Sequence, residues 1–131
     1  MPSAKIEKWH RYMQTGDMKL LNEQLSENCT FTSPVVHTPQ KGKSICKNYL
    51  TGAYHIIGKA ENFHYVQSFD CGEKAVLEFS CIIDGIEVNG VDIINWNENG
   101  EITDFKVMVR PLKAINAVHS AMGAMLSRMS G

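Results

Sequence analysis

From Asn62 onward the chain of 131 residues takes up a period of two, with apolar and polar side chains alternating through to Arg110, and that period belongs to strands. Two dipeptides cut the run, Asp84-Gly85 and Asn99-Gly100, each a strong hairpin signal. A two-residue turn at Asp84-Gly85 pairs Ile83 with Ile86 and sets Leu77 opposite Asp92. The same turn at Asn99-Gly100 pairs Trp96 with Thr103, Ile94 with Phe105 and Asp92 with Val107. One face of this meander then gathers Leu77, Phe79, Cys81 and Ile83, a middle row of Ile86, Val88, Gly90, Asp92, Ile94 and Trp96, and a third row of Phe105, Val107 and Val109.

Asp92 is the one carboxylate on that wall. An unpaired buried carboxylate costs several kcal/mol by rough estimate, so it must be neutralised, paired or turned toward a cavity. No Lys or Arg shares its face, which predicts a raised pKa. The alternatives are a pocket-facing acid and a purely structural one bonded to Tyr12, Tyr54, a histidine or the Trp9 indole.

The rest of the chain reads as helices placed before and after the sheet. Ile6, Trp9, His10 and Met13 recur at helical spacing, which predicts a helix over 4–14 stopped by Gly16. Asp17 caps a second helix over 18–25, with Met18, Leu21 and Leu25 inward. Residues 29–33 alternate as a short strand, and Pro34 opens an irregular loop through His37 to Gly42. Ser44 caps a third helix reaching about Ile57. Pro111 opens a last helix over 111–129, whose stripe is Leu112, Ile115, Val118, Met122, Met125 or Leu126, and Met129. The expected sheet has four long strands and one short one, in an α+β domain spanning 1–131.

Composition excludes several classes. A formal net charge of −1 and no Lys/Arg cluster among aromatics argue against nucleic acid. No stretch reaches the roughly 18 apolar residues of a membrane span, and the expected location is cytoplasmic. Cys29, Cys46, Cys71 and Cys81 lack CxxC spacing and are expected to be buried free thiols. The five histidines show no ligand spacing, so neither a metal nor any other cofactor is expected.

The order of elements, with the stretch GVDIINWNENGEITDFKVMVRP over 90–111, resembles the nuclear transport factor 2-like superfamily, in its SnoaL-like and ketosteroid-isomerase-like branch. The resemblance covers nearly the whole chain and implies a cystatin-like α+β cone, a curved antiparallel sheet wrapped around N-terminal helices, here with an extra C-terminal helix. It also implies isomerase-, cyclase- or lyase-like acid–base chemistry without metal. Asp92 matches the acid that in ketosteroid isomerases stays protonated and donates a hydrogen bond to the developing oxyanion. Three positions depart from the family's patterns. Ser33, before Pro34, stands where the isomerases carry their general-base Asp, and Trp9 stands where they place a tyrosine, with Tyr12 nearby. Val107 stands where the epoxide hydrolases and cyclases keep a reactive Asp.

Catalysis therefore falls to Asp92, with His37 in the rim loop as an assisting base or ligand contact. The pocket is expected to be lined by Trp9, Tyr12, Met13, Ser33, Tyr54, Phe79, Ile94, Phe105, Val107 and Val109, and to take a small apolar carbonyl or polycyclic compound. The alternative is a non-catalytic ligand-binding or scaffold domain, favoured by Ser33 and Val107. A space of roughly 300 Å³ or more against Asp92 would favour binding or chemistry, and a packed interior would remove both. On the opposite sheet face Val76, Ile82, Val91, Ile93 and Met108 form an apolar cluster, which predicts a homodimer through the outer face.

Overall fold

The computed structural model describes residues 3–130. Helix α1 (Ala4–Thr15) begins where Ser3 accepts a hydrogen bond from the Ile6 amide and ends at Gly16, whose φ of 69° supplies the left-handed cap. Helix α2 (Met18–Gln24) follows, with Asp17 Oδ1 accepting from the Lys19 amide at 2.9 Å. Leu21 and Leu25 are fully buried, whereas Met18, expected inward, is exposed. Leu25 already belongs to strand β1 (Leu25–Thr32), so the helix runs into the strand without a loop.

The sheet has six strands, one more than the sequence led us to expect. The segment read as irregular loop contains a two-residue strand β2 (Gln40–Lys41), and β1 starts four residues earlier than expected. Strands β3 (Glu61–Asp70), β4 (Lys74–Ile83), β5 (Ile86–Trp96) and β6 (Ile102–Arg110) form the meander. The spatial order is β2-β1-β6-β5-β4-β3, with β1 parallel to β6 and every other pair antiparallel.

The central register is as the turn chemistry dictates. Asp84 and Gly85 have φ values of 50° and 77°, as a primed turn requires, and Ile83 pairs with Ile86. Leu77 and Val107 flank Asp92. Near the second turn the pairing departs by one residue, because Trp96 faces Ile102 rather than Thr103. Asn97 and Glu101 close a three-residue loop with Gly100 left-handed at φ 78°, and the extra residue is absorbed as a bulge at Thr103.

A second correction falls on β3. Tyr65 pairs with Phe79 but Gln67 pairs with Glu78, so Val66 is bulged and the face of every later residue is inverted. Phe63 and Tyr65 stay inward; Phe69, opposite Val76, is thrown to the outer face with 54% of its surface exposed.

Helix α3 (Lys43–Ala53) starts at Gly42, not at Ser44, and no side chain caps it. It continues as a π turn over Tyr54–Gly58, where Tyr54 lies against Gly16 so closely that a Cβ there would sit 2.7 Å from its ring. Helix α4 (Leu112–Ser130) begins with the Pro111 carbonyl accepting from the amides of Ala114 and Ile115. It packs on its own chain through Ala114, Ala117 and Val118, with Ile115, Met122, Met125 and Leu126 half-buried; Leu112, expected in the stripe, is 71% exposed. Met129 lies beyond the side chains described. Among the described residues no helix is long and apolar enough to cross a membrane. Cys29, Cys46 and Cys81 are buried free thiols, but Cys71, expected buried, is exposed in the β3–β4 turn.

Candidate ligand-binding site

Asp92 points to the concave side from the middle of β5 and is 6% exposed. Its partner is a residue the sequence did not single out. Tyr65 Oη donates to Asp92 Oδ2 over a long 3.4 Å, and Trp9 Nε1 donates to Tyr65 Oη at 2.9 Å. Trp9, Tyr65 and Asp92 thus form a directed chain in which every donated proton points toward the carboxyl group. His10 packs its ring edge on Tyr65 with centroids 4.9 Å apart. Burial holds that imidazole below its ordinary value, with Glu7 opposing.

The same burial acts on the acid. It pushes the Asp92 carboxyl up from an ordinary 3.8 to about 7, and the Tyr65 hydrogen bond offsets only part of that shift. Burial and the neighbouring Asp92 also raise the Tyr65 hydroxyl well above its usual range, so it keeps its proton and serves as a donor. Asp92 Oδ1 has no hydrogen-bond partner among the described residues, yet it is not sealed off by protein atoms. A protonated Asp92 therefore has one oxygen held by Tyr65 and one free to face a guest.

That face meets a small inner cavity of about 30 Å³, lined by Trp9, Met13, Leu50, Ala53, Tyr54, Ile57, Phe63, Phe79, Asp92, Phe105 and Val107. Gly90 shapes its wall: a Cβ there would lie 2.5 Å from the Phe79 ring, so glycine lets that ring lie across β5. About 30 Å³ is room for one water, far below the space anticipated against Asp92. The larger space lies one layer out. A chamber of about 180 Å³ is bounded by Phe31, the loop of Ser33, Pro34, Val35 and Val36, Tyr49 of α3 and one side of α4. The two spaces share Ala53, Ile57 and Val107 as a common wall.

Of the residues expected in the pocket, Trp9, Met13, Tyr54, Phe79, Phe105 and Val107 line the inner cavity, and Ser33 lines the outer chamber with Val107. Three do not line either space. Tyr12 and Ile94 are completely buried core, the Tyr12 hydroxyl lying 3.5 Å from the Leu50 carbonyl, and Val109 borders a groove with Met108 and Arg110. His37 is exposed on its loop and lines neither the cavity nor the chamber, so it is not brought to Asp92. The histidine that does line the chamber is His119, on α4. Both missed residues left only weak marks in the sequence. Tyr65 was marked only by its inward place in an alternating strand, and His119 by its place beside the Val118 stripe.

A six-stranded sheet curved around a helical layer, with an acid buried on its apolar concave face, defines a cystatin-like α+β cone. A steroid delta-isomerase from Pseudomonas aeruginosa is similar over 98% of this chain and 93% of its own, at 30% identity and a TM-score of 0.89. An uncharacterized cystatin-like protein from Silicibacter pomeroyi is 29% identical over 92% of this chain and 84% of its own, with a TM-score of 0.84. An NTF2-like protein from Mesorhizobium loti shares the fold, at 19% identity, a TM-score of 0.71, and coverage of 82% and 88%. The chain belongs to the nuclear transport factor 2-like superfamily, in its ketosteroid-isomerase-like branch. No family model and no curated protein matches the sequence.

Proposed function

We propose that this protein binds a small apolar molecule bearing a carbonyl or phenolic oxygen, and that protonated Asp92, held by Tyr65, donates a hydrogen bond to that oxygen. The observation that carries this reading is the unpartnered Oδ1 of Asp92, open to an apolar cavity and attached to a carboxyl group raised to about 7. Such a donor strengthens its bond as negative charge grows on the oxygen, which is the acid half of an enolising isomerase site. With about 30 Å³ against Asp92 and about 180 Å³ beyond the wall of Ala53, Ile57 and Val107, the guest reaches the carboxyl group only where those side chains move aside, and it is smaller than the occupants of ordinary pockets of roughly 300–1,000 Å³.

The alternative, ligand binding without turnover, draws on Ser33 and Val107, since neither side chain can accept a proton from carbon. Two measurements separate the readings. 2-Naphthol binding, followed by fluorescence, should weaken at least about tenfold in Asp92→Ala. Equal affinity in the variant would remove Asp92 from the site. Isomerisation of 3-cyclohexenone to its conjugated isomer, faster than with Asp92→Ala by about a hundredfold, would establish the catalytic reading. Binding without that turnover would establish the other.

A further inference from the structure

The outer chamber is completed by helix α4, outside the wall that hides Asp92. Its floor is buried and apolar, with Phe31, Val107 and Val118 only 3%, 5% and 1% exposed, and the Phe31 and Tyr49 rings stack along one side with centroids 5.2 Å apart. The polar groups of its lining are already provided for. Ser33 Oγ accepts from the amides of Val35 at 3.1 Å and Val36 at 3.2 Å, which ties the hydroxyl to its own loop, and His119 is exposed to solvent at the rim. Among the described residues no side-chain nitrogen or oxygen of the lining is buried without a partner.

Gly123 sits at the rim of this chamber for no reason of packing. It stands inside α4, where glycine is less favourable than alanine, yet a Cβ built there meets no atom within 4 Å. Gly52 on the facing helix differs, since a Cβ there would lie 3.1 Å from Met122 Cε. Gly123 is exposed and still borders the chamber, which places it at the mouth.

We infer that the outer chamber is a binding site in its own right, that its ligand is a small uncharged aromatic hydrocarbon of one ring, and that Gly123 keeps its mouth open. The size follows from the volume. A dry apolar cavity of about 150 Å³ holds benzene, and about 180 Å³ admits a ring of toluene size but no polycyclic guest. The chemistry follows from the lining, because a charged guest would lose its hydration with no unpaired buried group to replace it. Ring walls and the adaptable Met122 thioether suit an aromatic edge instead. The site goes beyond the Asp92 reading and does not depend on it, since Ala53, Ile57 and Val107 stand between the two spaces.

Toluene titrated into the full chain by calorimetry tests the site. Binding should be saturable at one site per chain, and benzoate, a similar ring carrying a carboxylate, should bind at least about tenfold more weakly. Gly123→Leu should weaken toluene at least about tenfold by closing the mouth. Gly123→Ala should raise Tm by about 2–4 °C and leave affinity within about twofold, which separates the space at the mouth from any need of the helix for glycine. Asp92→Ala should leave toluene binding unchanged while it weakens 2-naphthol. No saturable toluene binding, or benzoate binding as tightly, overturns the hydrocarbon site. Equal affinity in Gly123→Leu overturns the role of Gly123, and loss of toluene binding in Asp92→Ala overturns the independence of the chamber. An affinity that falls as protein concentration rises would show the chamber filled by a second copy of the chain, which also overturns the proposal.

Discussion

At the scale of single residues, Asp92 ties stability to function. Its folded pKa, about 7, lies above its ordinary 3.8, so the folded state holds a proton that the unfolded chain releases through that interval. The contribution of Asp92 is therefore neutral below about pH 4, grows unfavourable as pH rises, and levels off above about pH 7, at a cost on the order of 4 kcal/mol. Asp92→Asn removes the titration. The stability difference between variant and wild type, measured by urea unfolding, should be small at pH 4 and favour the variant increasingly up to pH 8; a difference flat with pH would mean that folding does not raise the Asp92 pKa. Tyr65→Phe removes the hydrogen bond that lowers the Asp92 pKa and strands the Trp9 indole N–H. An NMR titration should then place Asp92 higher than in wild type, and stability should drop by about 1–3 kcal/mol. An unmoved Asp92 would show that the 3.4 Å contact carries no weight. The acid itself was legible because one carboxylate on an apolar strand face violates its surroundings. Its partner was not, because a tyrosine on a half-buried strand violates nothing.

At the scale of elements, legibility followed turn chemistry. Asp84-Gly85 locked β4 to β5, and the neighbours Leu77 and Val107 of Asp92 came out as written in the sequence. The bulge at Val66 left no mark, since neither a glycine nor a proline stands there, and a single added residue reversed the faces of Gln67 to Asp70. Strand β2 and the parallel contact of β1 with β6 escaped for a related reason: two residues show no period, and a parallel pairing has no turn to announce it. Helix α4 was found by its stripe, but the stripe could not say what it covers. It closes the outer chamber with Val118, His119, Met122, Gly123 and Leu126. Truncation after Pro111 should uncover Ala114, Ala117 and Val118 together with the chamber wall, costing on the order of 3–5 kcal/mol. Differential scanning calorimetry should show a Tm fall of about 10–20 °C and the truncated chain should bind a hydrophobic dye. An unchanged Tm would mean that α4 lies on the cone without supporting it.

At the scale of the whole molecule, the sheet has one face covered by helices and one left open. The open face carries Val76, Ile82, Val91 and Ile93 half-buried and Met108 50% exposed, and the bulge in β3 adds Val66 and Phe69 at 50% and 54%. Its polar centre is already satisfied, because Glu78 accepts from Gln67 at 2.7 Å and from Asn89 at 2.9 Å. The Glu78 carboxylate keeps its charge and Lys106 lies on the same face, so a two-fold contact there covers the apolar side chains while two amide donors and the more distant Arg110 hold the carboxylate. We therefore expect a two-fold dimer through this face, burying on the order of 800 Å² per subunit. Phe69 and Met108 are the side chains to change, since both project outward and neither is part of the core. Phe69→Glu with Met108→Glu would place like charges across the two-fold axis, which should convert the dimer to a folded monomer with its circular dichroism spectrum intact. Light scattering at micromolar concentration decides it: a wild-type mass of one chain, or a dimer that survives both substitutions, would leave the outer face without a partner of its own kind.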